Sequence, residues 1–277
     1  MERFKAYLQY IYPKRFFSWF MLRWTRIRFR PVAQFQIHSF VRTFRVDVSE
    51  ALEPNLSVYP DFNTFFTRPL AADARPIDNE TDAIVSPADG VVAACGAITE
   101  GLALQAKGQP YSVAELLGND PELAASVEGG TYVTVYLSPR DYHRIHACAN
   151  AQLQKIAYVP GELFSVSPST THFIPRLFAR NERAVLAFSH TRGPIAMVLV
   201  GAVCVGSVET IWTGAFPAHT PASQVHNAEV RKGQEIGRFN MGSTVIVLLP
   251  PGAELRVTDG SAIRMGEALA SLPGVHA

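Results

Sequence analysis

The sequence predicts an α+β protein, a strand-rich antiparallel body preceded by short amphipathic helices. Two observations carry that expectation. From about Asp47 onward, short β-branched and apolar runs are separated by Gly, Pro, Asn and Asp without a βαβ alternation, which favours antiparallel neighbours. Before Asp47, Pro13 and Pro31 divide an aromatic, basic stretch into three pieces of helix length. At 277 residues, 48% of them apolar, the chain can bury a sizeable core as one large domain or as a domain with an appendage. Residues 1–46 are accordingly taken as a basic amphipathic segment and 47–277 as the body.

In the N-terminal segment Phe4, Leu8 and Ile11 share one helical face, as do Phe17, Phe20, Met21 and Trp24, with cations beside them. Ten of the 25 Lys and Arg but one of the 24 Asp and Glu lie in residues 1–46. The other residues therefore hold 15 cations against 23 acids, a formal charge of −8 beneath the chain's net +1. The aromatic charge-free run of residues 16–22 falls well short of the roughly 20 residues of a spanning helix, as does every other charge-free run in this segment. No small-residue cleavage site follows it, so it does not read as a secretion signal. Cations interleaved with aromatic residues suit a helix lying in the headgroup layer of an anionic membrane. The alternative is that these helices pack on the body. Nucleic acid is disfavoured, because so many large apolar residues share the short helices with the arginines.

In the body, residues 83–85, 90–94, 131–137, 153–159, 184–190, 195–208 and 244–249 read as strands. Thr191-Arg192-Gly193-Pro194 is a hairpin turn between two of them. Ser112 is placed to cap a short helix over 113–117, and residues 170–181 have room for another. Cys95, Cys148 and Cys204 form no paired spacing and read as small buried residues of a reducing compartment.

Three stretches hold residues that could carry chemistry. In Phe239-Asn-Met-Gly242-Ser243-Thr244, a polar, turn-prone lead-in over 231–238 meets a β-branched run ending at Pro250. Gly242 can there take a positive φ or a strained geometry and leaves its carbonyl open, with the Ser243 hydroxyl directly after it. Gly-Ser-Thr is also ordinary turn chemistry. Ser86-Pro-Ala-Asp89-Gly90 is a turn between two apolar runs, with Asp89 at its tip or just entering a strand. Ser138-Pro-Arg-Asp-Tyr-His143-Arg-Ile-His146 crowds two guanidinium groups, two imidazoles and a carboxylate into one loop after an apolar strand. A metal site is the rival reading of His143-x-x-His146, though no H-E-x-x-H or further spaced ligand supports it. G-x-S-x-G, S-x-x-K, G-x-G-x-x-G and P-loop patterns are absent, which leaves little for a conventional serine hydrolase or a nucleotide enzyme. A histidine in reach of Ser243 and oriented by Asp89 would form a Ser-His-Asp constellation defined by role rather than order.

The order and spacing of Ser86-Pro-Ala-Asp-Gly90, Gln105-Ala-Lys-Gly108, Leu137-Ser-Pro-Arg-Asp-Tyr-His-Arg-Ile-His146, Tyr158-Val-Pro-Gly161, Leu177-Phe-Ala-Arg-Asn-Glu-Arg183, Gly206-Ser-Val-Glu-Thr210 and Gly242-Ser-Thr244 resemble bacterial phosphatidylserine decarboxylase proenzymes across essentially the whole chain. Met241 stands where that family usually has Leu, a volume-conserving exchange. Residues 216–229 depart from the pattern, so His219 and His226 receive no role.

The resemblance implies a chain that cuts itself once. Asp89 would orient His146, His146 would take the proton of Ser243, and Ser243 would attack the carbonyl of Gly242. The resulting ester would be eliminated, leaving residue 243 as a covalent pyruvoyl group, the only cofactor and one that needs no metal. Its ketone would take up the amine of phosphatidylserine and draw off the electrons released with carbon dioxide, with His143 as the proton donor and phosphatidylethanolamine as product. The resemblance further implies a heterodimer of a β chain, 1–242, and an α chain, 243–277, with a homodimer of such units compatible. It places the enzyme peripherally on the cytoplasmic face of the cell membrane, bound to an anionic surface, without nucleic acid. Lys107, Arg140 and Arg144 are phosphate candidates on charge alone.

Overall fold

The computed structural model describes residues 2–105, 109–203, 208–216 and 220–272. Lys107, Cys204 and His219 lie outside them. As the prolines dictate, the N-terminal segment forms helices α1 Glu2–Leu8, α2 Lys14–Trp24 and α3 Arg30–Phe44. A 3-10 turn and α4 Phe62–Phe66, capped by the Asp61 carboxylate on the Thr64 N–H, lead into the body. The chain continues through β1 Ala83–Val85, β2 Gly90–Ala97, β3 Leu102–Leu104, β4 Pro110–Ser112, α5 Val113–Leu116 and α6 Pro121–Ser126. Next come β5 Thr131–Leu137, β6 Arg144–His146, β7 Ala151–Val159, α7 Pro168–Phe173, α8 Leu177–Arg180, β8 Arg183–Ser189 and β9 Ile195–Val200. The last elements are β10 Val208–Thr210, β11 Gly214–Ala215, β12 Ala222–Val230, β13 Glu235–Phe239, β14 Ser243–Leu249, β15 Glu254–Leu255, β16 Ala262–Ile263 and β17 Ala268–Ser271.

The large sheet has the order β12-β7-β8-β9-β14-β5-β2-β16, and every ladder in it is antiparallel. A smaller sheet, β11-β10-β13-β6, lies across the site, and β1-β17-β15 closes another side. The α+β class is therefore as the sequence predicts, and Ser112 caps α5 through the Glu115 N–H. Three local expectations need correction. The run 195–208 is not one strand, since β9 ends at Val200. The polar residues 235–239 form β13, because Ile236 and Phe239 turn into the core while Arg238 is paired outward to Glu209. The end of the histidine loop is also a strand, β6, drawn into order by pairing with β13.

β14 is flanked on both edges, Ser243 facing Leu137 of β5 and Thr244 facing both Tyr136 of β5 and Val200 of β9. All seven of its residues are buried. Burying each of its Val, Ile and Leu side chains stabilises the fold by roughly 1.5–3 kcal/mol. The N-terminal helices lie on this body rather than apart from it. Gln9 donates to Thr170 Oγ1 (3.1 Å) and accepts from the Ser165 N–H (2.8 Å), which fixes the end of α1 against α7. Lys14 is buried, its ammonium 4.2 Å from the centre of the Phe164 ring and 3.3 Å from Glu162. On α3, Phe40 meets Phe62, Phe65 and Phe66 edge-on at 5.0, 6.5 and 5.8 Å between ring centres. Met241, just ahead of β14, packs on both this aromatic cluster and the sheet core.

Because β14 is central, a cavity there cannot be relieved from an edge. Leu248→Ala, introduced into a Ser243→Ala chain to keep one polypeptide, is expected to lower unfolding stability in urea by about 2–5 kcal/mol. A loss below about 1 kcal/mol would contradict this placement of β14.

Candidate active site

Ser243 opens the central strand with its side chain fully buried and its Oγ without a hydrogen-bond partner. The preceding residues are fixed by Asn240, which donates to Glu209 Oε1 (2.8 Å) and accepts from Asn63 of α4 (3.1 Å). Gly242 does not take the left-handed φ that the sequence allowed for, because the chain feeds directly into the extended strand. What the missing side chain provides is access. A methyl group on Gly242 would stand 3.8 Å from the Leu137 carbonyl and 4.0 Å from Nε2 of His143.

His143 is the imidazole at this peptide bond. Its Nδ1 lies 2.7 Å from the Asp141 carbonyl oxygen, which can only accept, so Nδ1 carries the proton and Nε2 the lone pair. Nε2 is buried and has no hydrogen-bond partner, and the ring rests 4.2 Å from that of Phe66. Burial pushes the His143 pKa down to about 3, with the Arg68 charge acting in the same direction and the Asp141 carbonyl opposing it. The result is a neutral imidazole with a free lone pair close to Gly242, the residue that precedes an unbonded serine. Such a pair has the makings of a general base and a nucleophile.

His146 is differently engaged. Its Nδ1 donates to the Gly233 carbonyl (2.8 Å) and its Nε2 accepts from the Tyr142 hydroxyl (3.0 Å). Burial lowers its pKa as well, partly offset by the Gly233 carbonyl and Glu235. Asp89 directly precedes β2, and Gly90 is needed there because any Cβ would collide with the Tyr136 carbonyl. Its carboxylate accepts from Arg75 Nε (2.9 Å) and Nη2 (2.5 Å) and from the Met265 N–H (2.9 Å). Among the described residues it bonds neither imidazole. Its link to His146 is through the backbone, where the His146 N–H donates to the Pro87 carbonyl (2.9 Å), and through its charge. The fold thus brings together Gly242, Ser243 and His143, and sets His146 and Asp89 behind them in separate hydrogen-bond sets.

Phe66, Tyr142, Arg75 and Arg68 were not singled out from the sequence. Tyr142 lay inside the histidine stretch, while the other three come from a segment with no recognisable motif. Two cavities flank the loop that follows β5. One, of about 490 Å³, is lined mainly by apolar groups that include Trp24, Phe40, Phe62, Phe66 and Met241, and it reaches Gly242. The other, of about 480 Å³, is lined by arginines and carboxylates, Asp89 among them. Arg144 faces neither, being spent on Glu235 (2.7 Å) and the Thr67 carbonyl (2.9 Å).

The family model for phosphatidylserine decarboxylase matches residues 62–271. The chain belongs to the phosphatidylserine decarboxylase family. Curated relatives named phosphatidylserine decarboxylase proenzyme include that of Nitrosococcus oceani, 46% identical over 274 residues covering 95% of this chain and 90% of the relative. The one from Ectopseudomonas mendocina is 50% identical over 242 residues, 83% of this chain and 84% of its own. That of Bordetella avium is 47% identical over 250 residues, 87% and 84% of the two chains. The matched region contains Asp89, His143, His146, Gly242 and Ser243 and leaves the first three helices, with Trp24 and Phe40 of the apolar cavity, outside the family model.

The buried neutral state of His143 has a thermodynamic consequence. Its folded pKa lies below the unfolded value of 6.5, so between those limits the unfolded chain binds a proton that the folded chain refuses. Stability should therefore fall as pH drops below about 6.5, by up to about 1.4 kcal/mol per pH unit from this residue. Urea unfolding of a Ser243→Ala chain between pH 7.5 and 4.5 should show that slope, and His143→Phe should flatten it. An unchanged slope would show that His143 is not buried as described.

Proposed function

We propose that this chain is a proenzyme that cuts itself between Gly242 and Ser243 and then converts phosphatidylserine to phosphatidylethanolamine and carbon dioxide. The observation that carries the proposal is the unpartnered Nε2 of His143 set against Gly242, beside a buried Ser243 hydroxyl with no partner of its own. In the uncut chain His143 Nε2 takes the Ser243 proton as Oγ attacks the Gly242 carbonyl carbon. The peptide bond becomes an ester on Oγ and the Ser243 nitrogen becomes a free amine. Removal of the Ser243 α-proton then expels the Gly242 carboxylate, and water replaces the nitrogen, which leaves as ammonia.

Position 243 suits the pyruvoyl group that this chemistry leaves. It is fully buried, conversion of its hydroxyl breaks no hydrogen bond, and a cavity reaches the neighbouring Gly242. Once present, the ketone supplies the electron sink for loss of carbon dioxide. His143 can take a proton from the entering ammonium, and the imidazolium, disfavoured by burial, readily returns it to carbon. The geometry favours His143 as the group at the reacting atoms in both halves. His146, whose lone pair is occupied by Tyr142, and Asp89, paired with Arg75, support it from behind. After the cut, the ladders to β5 and β9 hold the 243–277 chain to the 1–242 chain as a heterodimer.

The apolar cavity, walled by α2, α3 and α4, is suited to a lipid tail. Phe16, Trp19 and Phe20 on α2, Phe29 just before α3 and Phe35 on α3 are exposed, among arginines. No described helix is long and apolar enough to cross a membrane. This surface supports peripheral binding to an anionic bilayer, at the cytoplasmic face, where phosphatidylserine is met.

Purified protein incubated with phosphatidylserine in mixed micelles should release phosphatidylethanolamine, and Ser243→Ala should release none; no product from the processed wild type would refute the proposed activity. His143→Ala should remain uncut. Cleavage in that variant, with His146→Ala uncut, would return the base role to His146. Phe16→Ser with Trp19→Ser should weaken flotation with anionic liposomes several-fold without lowering thermal stability, since each removes interfacial apolar area. Unchanged flotation would place membrane binding elsewhere.

A further inference from the structure

Arg68 follows α4 and is 4% exposed, yet among the described residues it has no carboxylate within ion-pair distance. Its Nε has no hydrogen-bond partner, and Nη1 reaches only the Phe65 carbonyl at a long 3.5 Å. Its guanidinium carbon stands 4.9 Å from the centre of the Phe65 ring. A buried guanidinium in this condition is expensive unless an anion joins it. The side chain lines the arginine-bearing cavity, where the carboxylates are already engaged. Asp89 and Glu50 hold Arg75, Glu50 also holds Arg264, Glu267 accepts from the Arg264 N–H, Asp47 accepts from Ser49, and Asp141 accepts from the Ser138 N–H. Arg68 also acts electrostatically on His143, and the Thr67 carbonyl beside it is tied to Arg144 of β6.

We propose that Arg68 binds the phosphodiester of the substrate, holding the headgroup while its serine end lies at residue 243. The proposal rests on the function given above. Of the three phosphate candidates taken from charge alone, Arg144 is committed to Glu235, Arg140 is exposed beside Asp141, and Lys107 lies outside the described residues. The anion that Arg68 takes is the phosphate rather than the carboxylate. A cation fixed on the departing carboxylate would stabilise the ground state more than a transition state from which that charge is moving, and would slow the reaction. The two cavities share Tyr136, so acyl chains in one and phosphate in the other would place the headgroup across the loop that carries His143.

Arg68→Gln and Arg68→Lys, first checked for self-cleavage by intact mass, are assayed as processed enzymes with short-chain phosphatidylserine. Short-chain phosphatidylethanolamine, which keeps the phosphate and lacks the carboxylate, serves as competing ligand. Arg68→Gln should raise KM at least about tenfold, the worth of one charge-assisted pair, with little change in kcat. It should weaken phosphatidylethanolamine inhibition by the same factor, and Arg68→Lys, which keeps the charge without the fork, should recover part of both. Unchanged phosphatidylethanolamine inhibition with a raised KM would assign Arg68 to the carboxylate and overturn the proposal. So would a fall in kcat alone, no change in either constant, or failure of both variants to self-cleave. Wild-type enzyme that is processed but makes no phosphatidylethanolamine would instead remove the activity on which the proposal stands.

Discussion

The position of β14 between β5 and β9 governs the rest of the molecule. The strand is paired along both edges from Thr244 to Leu248 and buried throughout, and Ser243, already paired with Leu137 of β5, begins where that rigid sheet begins. The residue before it, Gly242, lies at the junction with a more open cavity. A peptide bond at that junction can be broken without removing a ladder hydrogen bond beyond it. This explains how a chain can be cut next to its own core and keep its fold.

Around that fixed point the surroundings are sharply divided. Phe66 and burial keep His143 neutral, and the Asp141 carbonyl fixes which nitrogen is free. The charged groups line the second cavity, Asp89 just ahead of β2 paired with Arg75, and Arg68 just after α4 without a carboxylate. Apolar surroundings weaken the imidazolium, and the nearby charges determine where an anionic substrate could be held. α2, α3 and α4 supply the apolar wall, so the N-terminal helices belong to the site as well as to the surface.

Much of this arrangement was legible in the sequence because it is local. Strands β1, β5 and β14 follow from β-branched runs bounded by turn residues, and the three N-terminal helices from Pro13 and Pro31. Gly242, Ser243 and His143 were named, and they do meet. β6, β12 and β13 were hidden because their residues are polar or charged on one face, and pairing between distant segments, not hydrophobic periodicity, makes them strands. The partners of Asp89 were hidden for the same reason. Arg75 and the Met265 N–H reach it only through the fold, so the pairing of Asp89 with His146 that the family resemblance implied gave way to a set that no spacing announces. Arg68 and Phe66 sit in a segment with no motif, and only burial without a partner draws attention to the arginine.

The most direct test of the account is the intact mass of the purified, folded protein. The account predicts two chains, residues 1–242 and residues 243–277, the second lacking a free amino terminus and lighter than a serine-started chain by the change from serine to pyruvoyl. They should elute together under native conditions. A single unmodified mass for the folded full-length chain would contradict the account, because position 243 would then hold no electrophile and the neutral imidazole beside it would have no reaction to serve.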